Sequence, residues 1–376
     1  MKKKNLQHIA IIGGGPGGLM LGLLLQHQGL PFTIYERGHK NIHKDRGGSL
    51  DIHDDSGQLA LKQAGIFEVF RKYARFDGED TRIVRKDGKI LYDEDAEDEG
   101  SRPEIDRGKL CDIIVEQINP QHIKYGYKYE NMKQLDNGQA ELTFENGVKV
   151  ITDLVIGADG AFSKIRPHLT DVMPEYTGIS MIEMNSDENE HPDLLKFNKN
   201  GKVMALGGHQ AILGQRNGDG RIMAYISFKM MYDTLDEYRN LSLDELKERL
   251  MHEFNDWGAD MKKYIAYSCD DVKFRRIYKL PIGLTWETQK NMTLIGDAAH
   301  LMSPFAGEGV NMALHDAYLL AKAFHMYDDL TEILNSYEQQ MFEIAKVHAQ
   351  ESQDNLAIFF SDNGAETMAQ LFEEIA

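Results

Sequence analysis

Gly13, Gly15 and Gly18 stand in the spacing G-x-G-x-x-G, and an acid, Glu36, follows eighteen residues after the last of them. No side chain at Gly13 permits a tight turn, none at Gly15 lets backbone N–H groups approach a pyrophosphate, and a helix opening there adds its partial positive charge. Glu36 is then placed to accept the hydroxyls of a ribose. A second stretch, IGDAAHLMSPFAGEGVN at 295–311, holds Asp297 at the end of an apolar run and two closely spaced glycines before a helix. An acid at a strand end can hold sugar-like hydroxyls, and a helix N-terminus can face a developing anion. Nothing in either stretch pairs a nucleophile with a base or has the spacing of a metal site, so no catalytic side chain and no metal are expected. His300 reads as a packed, hydrogen-bonded histidine rather than a general base.

The elements that must position these residues follow from the pattern around them. Residues 9–12 read as a strand, LMLGLLLQHQG as a helix stopped by Gly29, and PFTIYER as a second strand. That is a βαβ unit and implies a parallel sheet. Residues 54–73 and 105–118 carry apolar positions at helical spacing, the latter with Leu110, Ile113, Ile114 and Ile118 on one face. From 122 to 157 the pattern becomes short alternating runs turned at Asn137-Gly138 and Asn146-Gly147, a β-meander feeding DLVIGADG. Strand-like runs between about 175 and 285, with an amphipathic helix from Ser242 to Phe254, suggest a second, mainly β domain. DEDAEDE at 93–99 reads as a solvated loop, and after 306 the pattern is helical nearly to the end, with a break near Tyr327 to Leu330.

Composition narrows the partners. With 42 Lys plus Arg against 60 Asp plus Glu, a net charge of -18 repels nucleic acid and anionic lipid alike. Two cysteines, Cys111 and Cys269, are too few and too far apart for a disulfide framework, and both read as small buried hydrophobes. The basic N-terminus runs into glycines before a signal-peptide core can form, and no apolar run approaches the ~18 residues of a membrane span. A cytoplasmic monomer with a small-molecule ligand is expected.

The glycine fingerprint alone does not separate NAD from FAD, since both present an ADP half to the same loop. The late Gly-Asp segment favours a flavin, whose ribityl hydroxyls and anionic ring need an acid and a helix N-terminus. Taken with the mid-chain Asp-Gly of DLVIGADGAFSKIR, the three motifs in order resemble those of the class A FAD-dependent aromatic monooxygenases, the para-hydroxybenzoate hydroxylase type. Through AIIGGGPGGL, GGSLDIH, EIDRGKL, IGDAAHLMSPFAGEGVN and SYEQQMF the chain is similar, from first strand to last helix, to the tetracycline-inactivating monooxygenases of the Tet(X) type.

That resemblance implies an α/β fold: a Rossmann-like FAD-binding domain from 1–75, 101–173 and 281–326, an inserted mainly β substrate domain from 76–100 and 174–280, and a bridging C-terminal helix over 327–376. It implies that Glu36 and Arg37 hold the adenosine half of FAD and Asp297 its ribityl and pyrophosphate region. Arg107 and Asp51 would lie at the flavin, Asp159 would serve FAD and NADPH, and Pro304, Gly307, Val310 and Asn311 would wrap the isoalloxazine. Lys44 and Arg46 are the expected NADPH contacts, because a cation suits a phosphate. Oxygen from O2 would reach the substrate through a flavin C4a-hydroperoxide, with no protein nucleophile. Glu183, Lys202 and Met223 fall where the tetracycline enzymes place Gln, Arg and His, and Asn355 and Phe359 lie on the helix expected to border the substrate mouth. Such changes of polarity are worth ~1 to 3 kcal/mol per lost buried contact, which leaves open a tetracycline-like polycycle, another phenolic or polyketide substrate, or a flavin protein that only sequesters ligand.

Overall fold

The computed structural model describes residues 1–40, 48–96, 100–269 and 271–375. Its first layer is a parallel sheet whose five strands run, edge to edge, Met292–Leu294, Leu154–Gly157, Ile9–Ile12, Phe32–Glu36 and Ile123–Tyr125. In register, Ile9 faces Phe32 on one side and Leu154 on the other. Strands covered on both faces need continuous apolar runs, which is why IAII and LVIG are buried at every position. Helices Pro16–His27 and Gly309–Met326 pack against each other; a Cβ on Gly17 would lie 2.9 Å from the Ala313 carbonyl, so only glycine allows that approach.

The region expected to be one helix at 54–73 is two, Gly57–Gln63 and Phe67–Arg71, broken at Gly65, whose φ is +67°. The helix expected at 105–118 spans Arg107–Val115, with Leu110, Ile113 and Ile114 buried. An antiparallel sheet of three strands, Tyr129–Gln134, Ala140–Phe144 and Lys149–Thr152, turns at the two Asn-Gly pairs.

The second layer is a sheet of seven strands in the order Lys273–Lys279, Glu175–Asp187, Arg221–Lys229, Gln210–Arg216, Lys202–Gly207, Thr81–Arg85, Ile90–Glu94. Its two faces do different work because side chains alternate along a strand. Ile182, Met184, Ile222, Ala224 and Ile226 pack under Tyr238, Leu246, Leu250, Phe254 and Trp257 of the helices behind it. The helix Leu243–Glu253 among these is started by a capping box, Ser242 with Glu245. Met181, Met204, Leu206 and Ala211 point the other way, onto Phe305, Phe359, Phe360 and Met368.

The C-terminal region is two helices, Leu330–Phe359 and Gly364–Ile375, rather than one. The turn between them brings both Phe359 and Phe360 against Phe305. Along the first, Tyr337 donates to the Leu294 carbonyl (2.8 Å) and Glu338 accepts from Thr293 (2.7 Å) and Trp286 (2.9 Å), which ties SYEQQMF to the parallel sheet. Further on, Ser352 meets Ser303 at 2.6 Å and Gln353 meets Lys279 of the large sheet. Two readings change here. Cys269 is exposed, its thiol donating to Asn185 Oδ1 at 2.9 Å, because it lies past the end of its helix rather than on the buried face. In the acidic run, Asp93 sits in a strand and pairs with Arg82 (2.8 Å) and Lys199 (3.0 Å); residues 97–99 lie outside the described residues. Among the described residues no helix is long and apolar enough to cross a membrane.

Candidate functional site

The first strand ends in the glycine turn. Gly13 adopts φ +117° and a Cβ there would lie 2.2 Å from the Ala158 carbonyl, so the turn presses directly on the strand end that carries the Asp-Gly loop. Gly15, two residues on, has no heavy atom within 4 Å of where its Cβ would be. The chain thus closes the turn on one side and leaves the other open. Glu36, buried at the end of the neighbouring strand, accepts from the Gly14 N–H (2.8 Å) and the Gly38 N–H (2.8 Å), while Arg37 beside it is exposed.

Two further segments converge on this strand end. Asp159 accepts the Lys164 N–H with Oδ2 (2.7 Å), while its buried Oδ1 has no partner among the described residues. Burial pushes its carboxyl above the usual range. Asp297 follows Gly296, and its carboxyl is likewise raised by burial, with the Arg107 charge opposing. Arg166, unassigned by the sequence reading although it lies in the quoted GADGAFSKIR, joins the two: it donates to the Ala298 carbonyl (3.1 Å) and the Ala161 carbonyl (2.9 Å). His300 is buried and bonded through Nε2 to Asp316 (2.6 Å), which also accepts the Gly296 N–H (2.7 Å). The histidine and Asp316, on the facing helix, therefore fix the Gly-Asp turn rather than face a reactant.

The isoalloxazine segment is organised by Asn311. Its side chain donates to the Asp51 carbonyl (3.0 Å) and accepts from the His53 N–H (2.9 Å). Gly307 is left-handed (φ +72°), and a Cβ there would lie 3.2 Å from the Asp51 carboxylate. Pro304 is exposed and Val310 buried. A charged chain runs through this point: Lys202 lies 3.8 Å from Asp51, Asp51 3.3 Å from His53 Nε2, and His53 Nδ1 3.2 Å from Glu308. Burial alone would raise the Asp51 carboxyl, yet the His53 bond and the Lys202 charge hold it at about 2. Burial works against the His53 cation too, and its two carboxylate partners overcome it and lift it to about 9. The sequence reading missed His53 and Glu308; the H in GGSLDIH and the E in AGEGVN were in view, but nothing local pairs two residues so far apart until the fold brings them together.

The three residues expected at the substrate share one face of the large sheet. Register places Lys202 opposite Gln215, Gln215 opposite Met223, and Glu183 opposite Tyr225. They do not share one environment. Lys202, on the large sheet, reaches Asp51 of the Ser49–Asp51 strand, and Glu183 pairs with Arg275 on the neighbouring strand. Met223, however, is 1% exposed, and Phe359, 4% exposed, packs into the core with Phe305. Both side chains are covered as folded, as is Glu183. Asn355 donates to the Phe305 carbonyl (3.2 Å). Glu104 emerges as a new member: 2% exposed, bonded to Ser49 (2.8 Å), Arg75 (3.2 Å) and Gln215, with its carboxyl pushed by burial to about 7. Lys44 and Arg46 lie outside the described residues.

An FAD fits this arrangement. The helices Pro16–His27 and Gly309–Met326 both start without a side-chain cap, leaving their first N–H groups for a ligand. Asp159 offers an unpartnered buried oxygen, and Gly15 an open approach. The FAD binding domain family matches the chain over residues 7–352. The monooxygenase penA of Penicillium thymicola is 27% identical, with 97% of this chain and 98% of that one aligned. Among solved structures, Klebsiella pneumoniae HpxO complexed with FAD and uric acid superposes at a TM-score of 0.81, 20% identical, covering 98% of this chain and 92% of the other. Tetracycline destructase Tet(51) superposes at 0.70, 22% identical, covering 96% and 94%. A match that spans nearly the whole length, laid over strand ends where the nucleotide turn, the Asp-Gly loop and the Gly-Asp segment meet, leaves one assignment: the chain belongs to the FAD binding domain family and is an FAD-dependent monooxygenase with the class A fold.

Proposed function

We propose that this enzyme uses NADPH and O2 to hydroxylate a tetracycline-like polycyclic substrate bearing phenol or enol oxygens. The observation that carries the reading is the charged, mixed-sign wall that the large sheet turns toward the flavin segment: Lys202 on Asp51, Glu183 on Arg275, and Tyr225, whose hydroxyl burial lifts to about 12 so that it stays a donor. Such a wall suits a ligand with many oxygens better than a plain hydrocarbon ring. The tetracycline destructase fold among its structural neighbours is consistent with it.

Bound FAD supplies the redox chemistry, taking electrons from a nicotinamide and activating dioxygen. The chain's own residues do the rest. The glycine turn and Glu36 hold the nucleotide half, and Asp159 and Asp297 accept its hydroxyls through carboxyls already desolvated by burial. The N-terminus of Gly309–Met326 favours negative charge on the ring side of the cleft. Lys202 orients an anionic or enolic substrate oxygen, and the packed Phe305, Phe359 and Phe360 exclude water. Lys44 and Arg46 are assigned to the phosphates of NADPH on charge alone.

A more compact phenol is the second reading, favoured because Met223 and Phe359 are packed shut. The test is a visible spectrum of the purified protein, then NADPH consumption with and without tetracycline and with a panel of phenols, reading product mass. A yellow protein whose consumption rises with tetracycline and yields a product heavier by one oxygen supports the reading. Oxygenation of phenols alone moves it to the second, and no ligand-stimulated consumption overturns both in favour of a sequestering flavoprotein.

A further inference from the structure

Beside the isoalloxazine segment, the structure brings together a set of ligand atoms from two elements forty residues apart. His348 and Glu351 lie one turn apart on the helix Leu330–Phe359, with His348 Nδ1 3.6 Å from Glu351 Oε2. Glu308, from the segment that opens the facing helix, places Oε1 3.4 Å from the same His348 nitrogen. One ligand atom from each of the three lies within 4.8 Å of the other two.

Three features distinguish this from an ordinary ion-pair cluster. Glu308 is 6% exposed, and among the described residues its buried Oε2 has no hydrogen-bond partner. His348 Nδ1, equally buried, also lacks one, so the contacts at 3.4 and 3.6 Å are proximity without a hydrogen bond. Buried polar atoms left unsatisfied call for a water or an ion. Nitrogen and oxygen ligands at ~2.1 Å from a tetrahedral zinc are separated by ~3.4 Å, so atoms that point at a common centre rather than at one another stand at about this spacing. Finally, Glu308 has an outer partner: the Oε1 that approaches His348 also lies 3.2 Å from His53, and His53 meets Asp51 at 3.3 Å. Outer groups that fix a ligand in this way are characteristic of metal sites.

We propose that Glu308, His348 and Glu351 form a binding site for a zinc-class divalent cation, with three protein ligands and an open fourth position. The mixed imidazole and carboxylate set favours zinc over magnesium or calcium, which take oxygen ligands. An ion there ties the long C-terminal helix to the segment beginning at Gly307, and so links the helix that reaches the large sheet to the loop beside Asp51.

The test uses full-length protein stripped with chelator and titrated with zinc chloride alone, reading heat of binding, metal content after gel filtration, and the thermal midpoint without added FAD. One zinc per chain is expected, with a midpoint that climbs as free zinc rises. His348→Ala and Glu351→Gln, both partly solvent-exposed and outside the cofactor cleft, are each expected to weaken binding by at least about tenfold. His191→Ala, a surface histidine stacked on Tyr267, serves as control and should leave affinity unchanged. Absence of saturable zinc binding overturns the proposal, as does zinc affinity equal in wild type, His348→Ala and Glu351→Gln. Should His348→Ala fail to fold by circular dichroism, Glu351→Gln on the exposed side decides alone.

Discussion

Gly13 and Gly15 are two residues apart, and the structure assigns them opposite tasks that a pair of alanine variants separates. At Gly13 a methyl group would meet the Ala158 carbonyl oxygen at 2.2 Å on a backbone held at φ +117°. A non-glycine residue at such an angle costs ~1 to 3 kcal/mol, and forcing the strand end aside adds a further ~1 to 3 kcal/mol. Gly13→Ala is therefore expected to destabilise the apoprotein by about 3 kcal/mol or more. At ~2 °C per kcal/mol for a chain of this size, that is a fall of about 5 °C or more in the apoprotein midpoint. Gly15 has φ -79° and ψ 179°, which any residue adopts, and open space where its Cβ would go. The modest loss of alanine against glycine at a helix N-cap and the gain from a stiffer unfolded chain nearly cancel, leaving the apoprotein within about 1 kcal/mol of wild type. The methyl group instead stands where a pyrophosphate must approach the amides. Losing one charge-assisted bond of ~1.5 to 3 kcal/mol weakens FAD by about ten- to a hundredfold. The assay is differential scanning fluorimetry of both apoproteins, followed by FAD titration read through quenching of flavin fluorescence. If Gly15→Ala binds FAD like wild type, or melts as low as Gly13→Ala, the division of labour argued from the turn is wrong.

Two other outcomes test the interior. Glu104 carries a carboxyl raised from 4.5 to about 7, so the folded chain holds a proton that the unfolded chain releases in that window. Its contribution favours folding least above pH 7: wild-type stability should fall by up to about 3 kcal/mol as pH rises from 4.5 to 7, and Glu104→Gln should flatten that part of a urea-denaturation pH profile, an unchanged slope counting against the buried acid. Phe359→Ala removes a ring packed on Phe305 at 5.0 Å between centroids and should cost ~3 to 5 kcal/mol of unfolding free energy in a denaturant titration; a ring that lined a ligand cavity instead would cost far less and be restored by substrate.

What the sequence could and could not determine follows from the range of the forces involved. The glycine turn, the two Asn-Gly hairpins, the capped helix after Ser242 and the alternation of the large sheet were legible because each is set by residues within a few positions of one another: a left-handed turn, a cap, or a period of two or 3.6. The three cofactor motifs were legible for the same reason, each being a local turn that exposes backbone amides or an acid. Tertiary structure alone decided what met across the chain. Arg166 bridging the Asp-Gly and Gly-Asp turns, Glu104 beneath Gln215, His53 against Glu308, and Glu308 beside His348 all join segments tens to hundreds of positions apart. Likewise, that Lys202 reaches the cleft while Met223, in the same cross-strand row, is sealed depends on which elements pack over each end of the row. Burial, which sets both the pKa shifts and the exposure of a side chain, is a property of the assembled layers, and no local pattern carries it.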